Sequence, residues 1–260
     1  MVRTRIAPTP SGFLHAGNAL NFLIIERVAD VCGAEIALRI DDVDTARIRD
    51  EYIEDVFEVL TWLNIDWTHG PRAASDMVEW SQRRRLDGYA ALRDALLDSG
   101  FAYACSCSRA DWDGYTGIDC PGSCGLRNYA FQPGITSVRV HVEDLEDPVV
   151  WRRDDVPAYH LTSVADDHEW NIDLVVRGDD LRESTDLQER ISTLLPQNSF
   201  ARCQVLHHPL ITHKGLKLSK SAGSGAAPMV RTAELRDELR SQAASYVESL
   251  PPALLRSRGS

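Results

Sequence analysis

The sequence predicts an α/β fold built on a parallel sheet and interrupted by an inserted module, and three observations predict it. A strand–helix–strand pattern occupies residues 2 to 44. The alternation resumes after residue 158, with a strand over 171–178, a helix over 184–194 and a further strand in "CQVLHHPLI". Between them, residues 101–157 break into glycines, short strand-like pieces such as "TSVRVHVEDL", and four cysteines. Strands alternating with helices imply βαβ units and a parallel sheet, whose ligands sit beyond the carboxyl ends of the strands.

Each element has its own signal. Residues 2–7 read as a short strand, and 15–32 as an amphipathic helix, with Leu20, Phe22, Leu23, Ile25, Val28 and Ala29 at helical spacing and Gly33 closing it. "AEIALRIDDVD" (34–44) is a buried strand in which Ile36, Leu38 and Ile40 alternate with smaller or polar residues. Helices follow at 50–63, which opens with acidic residues suited to a helix N-terminus, and at 79–99. A glycine and alanine loop, "GSGAAP", precedes one last helix at about 232–248. The expected organisation is a split α/β domain over 1–100 and 158–222, an inserted module over 101–157 and a short helical tail over 223–260.

Composition narrows the class. A chain of 260 residues with 43% hydrophobic and 26% charged residues is an ordinary globular protein that needs no disulfides to hold a core. No apolar run is long enough for a bilayer and no targeting segment opens the chain, so a cytoplasmic protein with no membrane partner is expected. In a reducing compartment, clustered cysteines point to metal rather than disulfides. The net charge of −11 argues against a generic nucleic-acid coat, and the basic stretches "SQRRRLDGY" (81–89) and "VVWRRDD" (149–155) read as solvated surface.

Three constellations carry chemistry. "APTPSGFLHAGN" leaves the first strand at its carboxyl end, bends at Pro8, Pro10 and Gly12, and starts a helix near His15. A helix N-terminus attracts an anion, and Gly12 and Gly17 let a bulky ligand approach the backbone. His15 and Asn18, three apart, share one face of the first turn and are placed to grip one phosphate or ribose; the alternative is that His15 is a structural hydrogen-bonder in a tight turn. "HKGLKLSKSAG" (213–223) carries Lys217 and Lys220, with serines at 219 and 221; lysines on such a loop can close over a polyphosphate, or form only a basic surface loop. Cys105 and Cys107 precede Cys120 and Cys124 by 12 residues, with Pro121-Gly122 turning the second pair, a spacing that suits one structural Zn²⁺ per chain. Cys32 and Cys203 read as core residues.

Together, His15-Ala16-Gly17-Asn18 and Lys217-Leu218-Ser219-Lys220-Ser221 resemble the two signature motifs of class I aminoacyl-tRNA synthetases. The flanks narrow the likeness to the glutamyl-tRNA synthetase group: Arg5 with "APTPSG", "RIDDVD" (39–44), "SQR" (81–83), "AYHL" (158–161), "VVRGDDL" (175–181) and "ST" with Gln188 occur in that group's order, over about residues 3–222. The resemblance implies a Rossmann-like catalytic domain with a zinc-binding, acceptor-binding insertion. It implies attack of an amino acid carboxylate on the α-phosphate of ATP, giving aminoacyl-AMP and pyrophosphate. By the family pattern ATP lies against Pro10, Ser11, Gly12, His15, Gly17, Asn18, Lys217, Ser219 and Lys220, with Mg²⁺ carried by the nucleotide, and catalysis falls to His15, Asn18, Lys217 and Lys220. Glutamate or a close analogue would meet Arg5, Arg177, Tyr159 and Asp41.

Two departures from the pattern stand out. The family's "RIED" has Glu where this chain has Asp41, which retracts the carboxylate by about one carbon–carbon bond, so the substrate shifts, a water intervenes or the substrate is not quite glutamate. Shorter relatives carry Tyr where Cys120 stands, and a thiolate there should tighten the metal site. The residues after Ser221 are too few for an anticodon-binding domain. This points to the truncated branch of the group, monomeric, in which activated glutamate goes to queuosine in the anticodon loop of tRNA(Asp). Two other readings stay open: transfer to a non-tRNA acceptor such as a carrier protein, peptide or metabolite, and a catalytically silent binding or regulatory paralogue.

Overall fold

The computed structural model describes residues 1–117, 120–143, 146–196, 200–209, 212–213, 216–217 and 227–255. In chain order its elements are β1 (Arg3–Ile6), α1 (Ala16–Cys32), β2 (Glu35–Leu38), α2 (Asp50–Leu63), α3 (Met77–Trp80), α4 (Leu86–Asp98), β3 (Ala102–Cys105), α5 (Arg109–Trp112) and α6 (Cys124–Arg127). There follow β4 (Ser137–Val140), β5 (Val149–Trp151), α7 (Tyr159–Glu169), β6 (Leu174–Gly178), α8 (Arg182–Leu194), β7 (Gln204–His208), β8 (Thr212–His213), β9 (Leu216–Lys217) and α9 (Ala233–Ser249). Two compact units result, one of residues 1–84, 171–182 and 203–260, the other of 85–170 and 183–202. Among the described residues no helix is long and apolar enough to cross a membrane.

The first unit is built on a parallel sheet in the order β2-β1-β6-β7. Its register pairs Ile6 with Leu38, Thr4 with Leu174 and Arg177 with His207. Side chains alternate across a strand, so Ile6, Ile36, Leu38, Leu174, Val176 and Leu206 share one face and enter the apolar core. Arg5, Ala37, Val175, Arg177 and His207 share the other.

The helix over α1 was expected to be amphipathic, yet Phe22, Leu23, Ile24 and Ile25 are all buried, a full turn of apolar surface. The reason is that α1 packs against the sheet, α2 and α9, the last through Leu239, Ala243 and Val247 at four-residue spacing. A helix covered on several sides loses the polar stripe that a surface helix keeps. It ends as read, with Gly33 left-handed at φ 62° and Ala34 N–H bonded to Ala29 O at 2.9 Å.

The ladder of β2 stops at Leu38, well short of the expected residue 44, but the chain stays tied to the loop after β1: Arg39 N–H donates to Ile6 O and Asp41 N–H to Pro8 O, both at 2.9 Å. On the outer edge of β2, Thr68 N–H reaches Ile36 O and Leu38 N–H reaches His69 O, each at 2.8 Å. Gly70 follows at φ 109°, where a Cβ would lie 2.0 Å from Leu38 O, so no other residue fits there. The single helix expected over 79–99 is two, α3 and α4, split by a 3₁₀ turn at Gln82–Arg85. The cause is local: Ser81 is extended at ψ 137°, and Gln82 N–H bonds the Asp42 carboxylate at 2.8 Å instead of a helical carbonyl.

The second unit holds an antiparallel sheet in the order β3-β4-β5 and the helices α4 and α7. Asp166, fully buried, accepts from Arg85 Nε at 2.9 Å and Nη2 at 3.0 Å and from the Tyr89 hydroxyl at 2.6 Å, while the Arg85 guanidinium lies 5.5 Å from the Trp170 ring. Burial and the adjoining carboxylate push Tyr89 far above the ordinary phenol range. Asp166→Ala would remove the buried carboxylate shared by a half-buried cation and a buried hydroxyl, and we expect a loss of about 3 kcal/mol in urea unfolding. A loss under about 1 kcal/mol would show that Arg85 finds another partner.

Candidate active site and metal centre

The loop from β1 to α1 leaves the sheet at its carboxyl edge with Pro8 and Pro10 buried and Ser11 exposed. It is held at Ser11 N–H to Thr9 O, 2.9 Å, and at Leu14 N–H to the Asp55 carboxylate, 2.7 Å. His15 is the N-cap of α1, with φ −117° and ψ 172°. Its Nδ1 accepts from Gly17 N–H at 3.1 Å and Asn18 N–H at 3.3 Å, and Asn18 Oδ1 accepts in return from His15 N–H at 3.0 Å. His15 and Asn18 therefore form a reciprocal cap, rather than standing side by side on one face as the spacing alone predicts.

The cap fixes the chemistry. An Nδ1 that accepts two N–H groups leaves the imidazole proton on Nε2, and an Asn18 oxygen bound to the backbone leaves its amide NH₂ as donor. Burial lowers the pKa of His15 below its ordinary 6.5, partly opposed by a backbone hydrogen bond of its own, so the ring is neutral at physiological pH. The turn offers neutral donors beside a helix N-terminus, a setting for phosphate oxygens.

Arg5 on β1 and Arg177 on β6 are 5% and 3% exposed and share the sheet face opposite α1. Asp41 is 6% exposed just past β2, bound by Arg39 Nε at 2.6 Å and Nη2 at 3.3 Å, with Gln82 Nε2 at 3.3 Å. Asp42 next to it accepts from Ser81 Oγ at 2.6 Å, and Gln82 Oε1 accepts from Val43 N–H at 3.2 Å. The motifs "RIDDVD" and "SQR" are thus one hydrogen-bonded assembly. Arg39 and Gln82 were not among the expected site residues, although their place inside the two quoted motifs was the signal that pointed to them.

Tyr159, Lys217, Ser219 and Lys220 complete the expected set. Tyr159 opens α7 in the second unit and is 38% exposed. Lys217 lies in β9, its backbone paired with Thr212 of β8, while Ser219 and Lys220 fall outside the described residues. His208, at the end of β7, was not singled out by the sequence reading: 5% exposed, it sets Nε2 2.8 Å from Asn21 Oδ1 and Nδ1 3.0 Å from Pro209 O, and burial lowers its pKa.

In the second unit the four cysteines converge. The Sγ atoms of Cys105, Cys107, Cys120 and Cys124 all lie within 4.8 Å of one another, with Cys105–Cys120 and Cys107–Cys120 at 3.4 Å and Cys107–Cys124 at 3.7 Å; none is in a disulfide. A tetrahedron of sulfurs about 2.3 Å from a zinc ion has edges of about 3.8 Å, so the cluster already has nearly the required size. Gly122 makes room for it, because a Cβ there would meet Cys107 Sγ at 2.7 Å. Arg153 Nη2 clasps the carbonyls of Ser106 and Cys107 at 2.8 and 3.1 Å. Burial raises Cys105 far above the thiol range and, with hydrogen bonds to Cys120 and Cys124, Cys107 to about 11. At Cys124 burial acts the same way, but hydrogen bonds from Ser106 and neighbouring thiols outweigh it and bring the thiol down to about 7. These residues can hold one metal ion in a closed, sulfur-only site.

Fold and site together define a class I synthetase catalytic domain. Among solved structures the fold is similar to a glutamate-tRNA synthetase from Elizabethkingia anophelis, at TM-score 0.63 and 22% identity over 91% of this chain and 53% of that one, and to a glutamate tRNA ligase from Elizabethkingia meningosepticum, at 0.61 and 22% over 81% and 49%. The family model "tRNA synthetases class I (E and Q), catalytic domain" matches residues 1–114 and 129–242, and the chain belongs to that family. Among curated relatives it is 32% identical to a glutamyl-Q tRNA(Asp) synthetase of Nitratidesulfovibrio vulgaris, over 81% of this chain and 75% of that protein. It is 32% identical to a glutamate–tRNA ligase of Protochlamydia amoebophila, over 84% of this chain, and there it spans only half the relative's length.

Proposed function

We propose that this protein activates glutamate with ATP and passes it to queuosine in tRNA(Asp). The observation that carries the reading is one of likeness: the chain is 32% identical, over 81% of its own length and 75% of the relative's, to a protein named glutamyl-Q tRNA(Asp) synthetase. The sheet edge agrees with it. Arg5 and Arg177 on one face provide the planar, bidentate donors that suit the side-chain carboxylate of glutamate.

In this mechanism the α-carboxylate oxygen attacks the α-phosphorus as the bond to the bridging oxygen breaks, and pyrophosphate leaves. Nε2–H of His15 and the amide of Asn18 donate to phosphate oxygens, while Lys217 and Lys220 neutralise charge on the leaving pyrophosphate. Mg²⁺ bound to the nucleotide would share that charge. Positioning, rather than covalent catalysis, then supplies the rate. Zinc on Cys105, Cys107, Cys120 and Cys124 would hold the second unit's sheet and turns in place without touching the reaction.

The test is ATP–pyrophosphate exchange against all twenty amino acids, with and without tRNA, followed by transfer to tRNA(Asp) bearing or lacking queuosine. Exchange with glutamate and transfer only to the queuosine form are expected; exchange without RNA transfer would favour a different acceptor. Asp41→Glu belongs to the same assay. Because Arg39 and Gln82 already enclose the Asp41 carboxylate, one more methylene must displace them, and kcat/KM for the amino acid should fall by about tenfold. A rise would mark Asp41 as a drift from an ancestral glutamate.

A further inference from the structure

We infer that Asp55 is a positioning residue that ties the His15 turn to the segment following the lysine loop, so that one carboxylate on α2 sets both. Asp55 is 2% exposed. One oxygen, Oδ2, accepts the Leu14 N–H at 2.7 Å, immediately before the cap residue His15. The other, Oδ1, pairs with Arg231 Nη2, and Arg231 Nη1 reaches Glu58 one turn along α2 at 2.6 Å. Arg231 stands directly before Thr232, the N-cap of α9, whose carbonyl accepts from Trp62 Nε1 of α2 at 3.2 Å.

The pattern is specific in a way that a surface ion pair is not. The Leu14 N–H is buried and has no helical carbonyl to bond, so without Asp55 the turn would lose its anchor. The carboxylate that meets it also needs a cation, and that cation comes from the chain stretch downstream of Lys217 and Lys220. Displacing Arg231 lets Asp55 turn toward water and loosens Leu14, so a change just before α9 is felt at the His15 turn. An error of about 1 Å in placing a reacting group can cost on the order of a hundredfold in rate.

This inference rests on reading the His15 and lysine motifs as the ATP site, and its test separates the two. Arg231→Met keeps the Leu14–Asp55 bond available and Asp55→Asn keeps an acceptor but removes the charge. We expect each to lower kcat for pyrophosphate exchange by about tenfold and to raise KM for ATP, and the double variant to be no worse than either single one. Arg231→Met should also speed amide hydrogen exchange at Leu14 and Asn18, which Arg231 does not touch. Unchanged kcat and KM with only a lowered melting temperature would reduce Asp55 to a structural residue and overturn the inference. Unaltered exchange at Leu14 would overturn the tie itself, whatever the activity. A wild-type protein with no pyrophosphate exchange would remove the ATP reading, while the Leu14 measurement would still decide the tie.

Discussion

Alanine at His15 is expected to slow ATP–pyrophosphate exchange by about 10²–10³-fold, the usual cost of removing one preorganised donor from developing charge, and to cost about 1 kcal/mol in stability through the lost cap. The two effects have separate atoms: Nδ1 caps α1, and Nε2 keeps the proton it can donate. His15→Asn keeps an oxygen for the Gly17 and Asn18 N–H groups but has nothing in place of Nε2. Its stability should therefore stay near wild type while exchange falls as far as in the alanine variant. Equal activity in the asparagine variant and the wild type would confine His15 to capping. Acid should weaken the same turn. The folded-state pKa lies below the ordinary 6.5, so the unfolded chain binds the proton first, and the cap's contribution is intact above 6.5 and declines as pH falls through the folded value.

The second large effect is expected from the zinc ion proposed on the four thiolates. A strong chelator should release about one zinc ion per chain and lower the unfolding temperature, and Cys120→Ser should reproduce it without chelator, since structural zinc contributes binding energy directly to folding. Cys105 and Cys107 hold their protons tightly when no cation is near, so ligation must expel protons and affinity must weaken as pH falls. Protein prepared without metal and equally stable, or zinc retained by the serine variant, would refute the four-thiolate site. Gly122→Ala gives an independent check, because its methyl would press on Cys107 Sγ and should loosen the metal without removing a ligand.

Much of this was legible in the sequence, for identifiable reasons. Strands and helices of the first unit follow from periods of two and 3.6, and Gly33 ends α1 where its type demands. The cysteine cluster was legible because close pairs with a Pro-Gly turn leave few other geometries. What was hidden depends on partners far apart in the chain. Burial around the whole of α1 needs α9, over two hundred residues later, as well as the sheet and α2. The break between α3 and α4 cannot be read from "EWSQRRRL", since it is Asp42 that takes the Gln82 N–H. Nothing local marks Asp55, bound to Arg231, or Asp166, bound to Arg85, as buried. The Arg39 bond to Asp41 is two residues long in sequence, yet nothing local told that the pair would be buried.

The strand order of the sheet also governs how the molecule is made. β1 lies between β2 and β6, and Thr4 pairs with Leu174, so a ribosome that has delivered β1, α1 and β2 must translate some 130 further residues before their neighbour exists. At roughly 5–20 residues per second that wait is about seven to thirty seconds. Throughout it the apolar flank of α1 has neither β6 nor α9 to rest on. The nascent N-terminal segment is therefore expected to keep apolar surface exposed until β6, β7 and α9 emerge, a consequence of a parallel sheet whose middle strands are far apart in the chain.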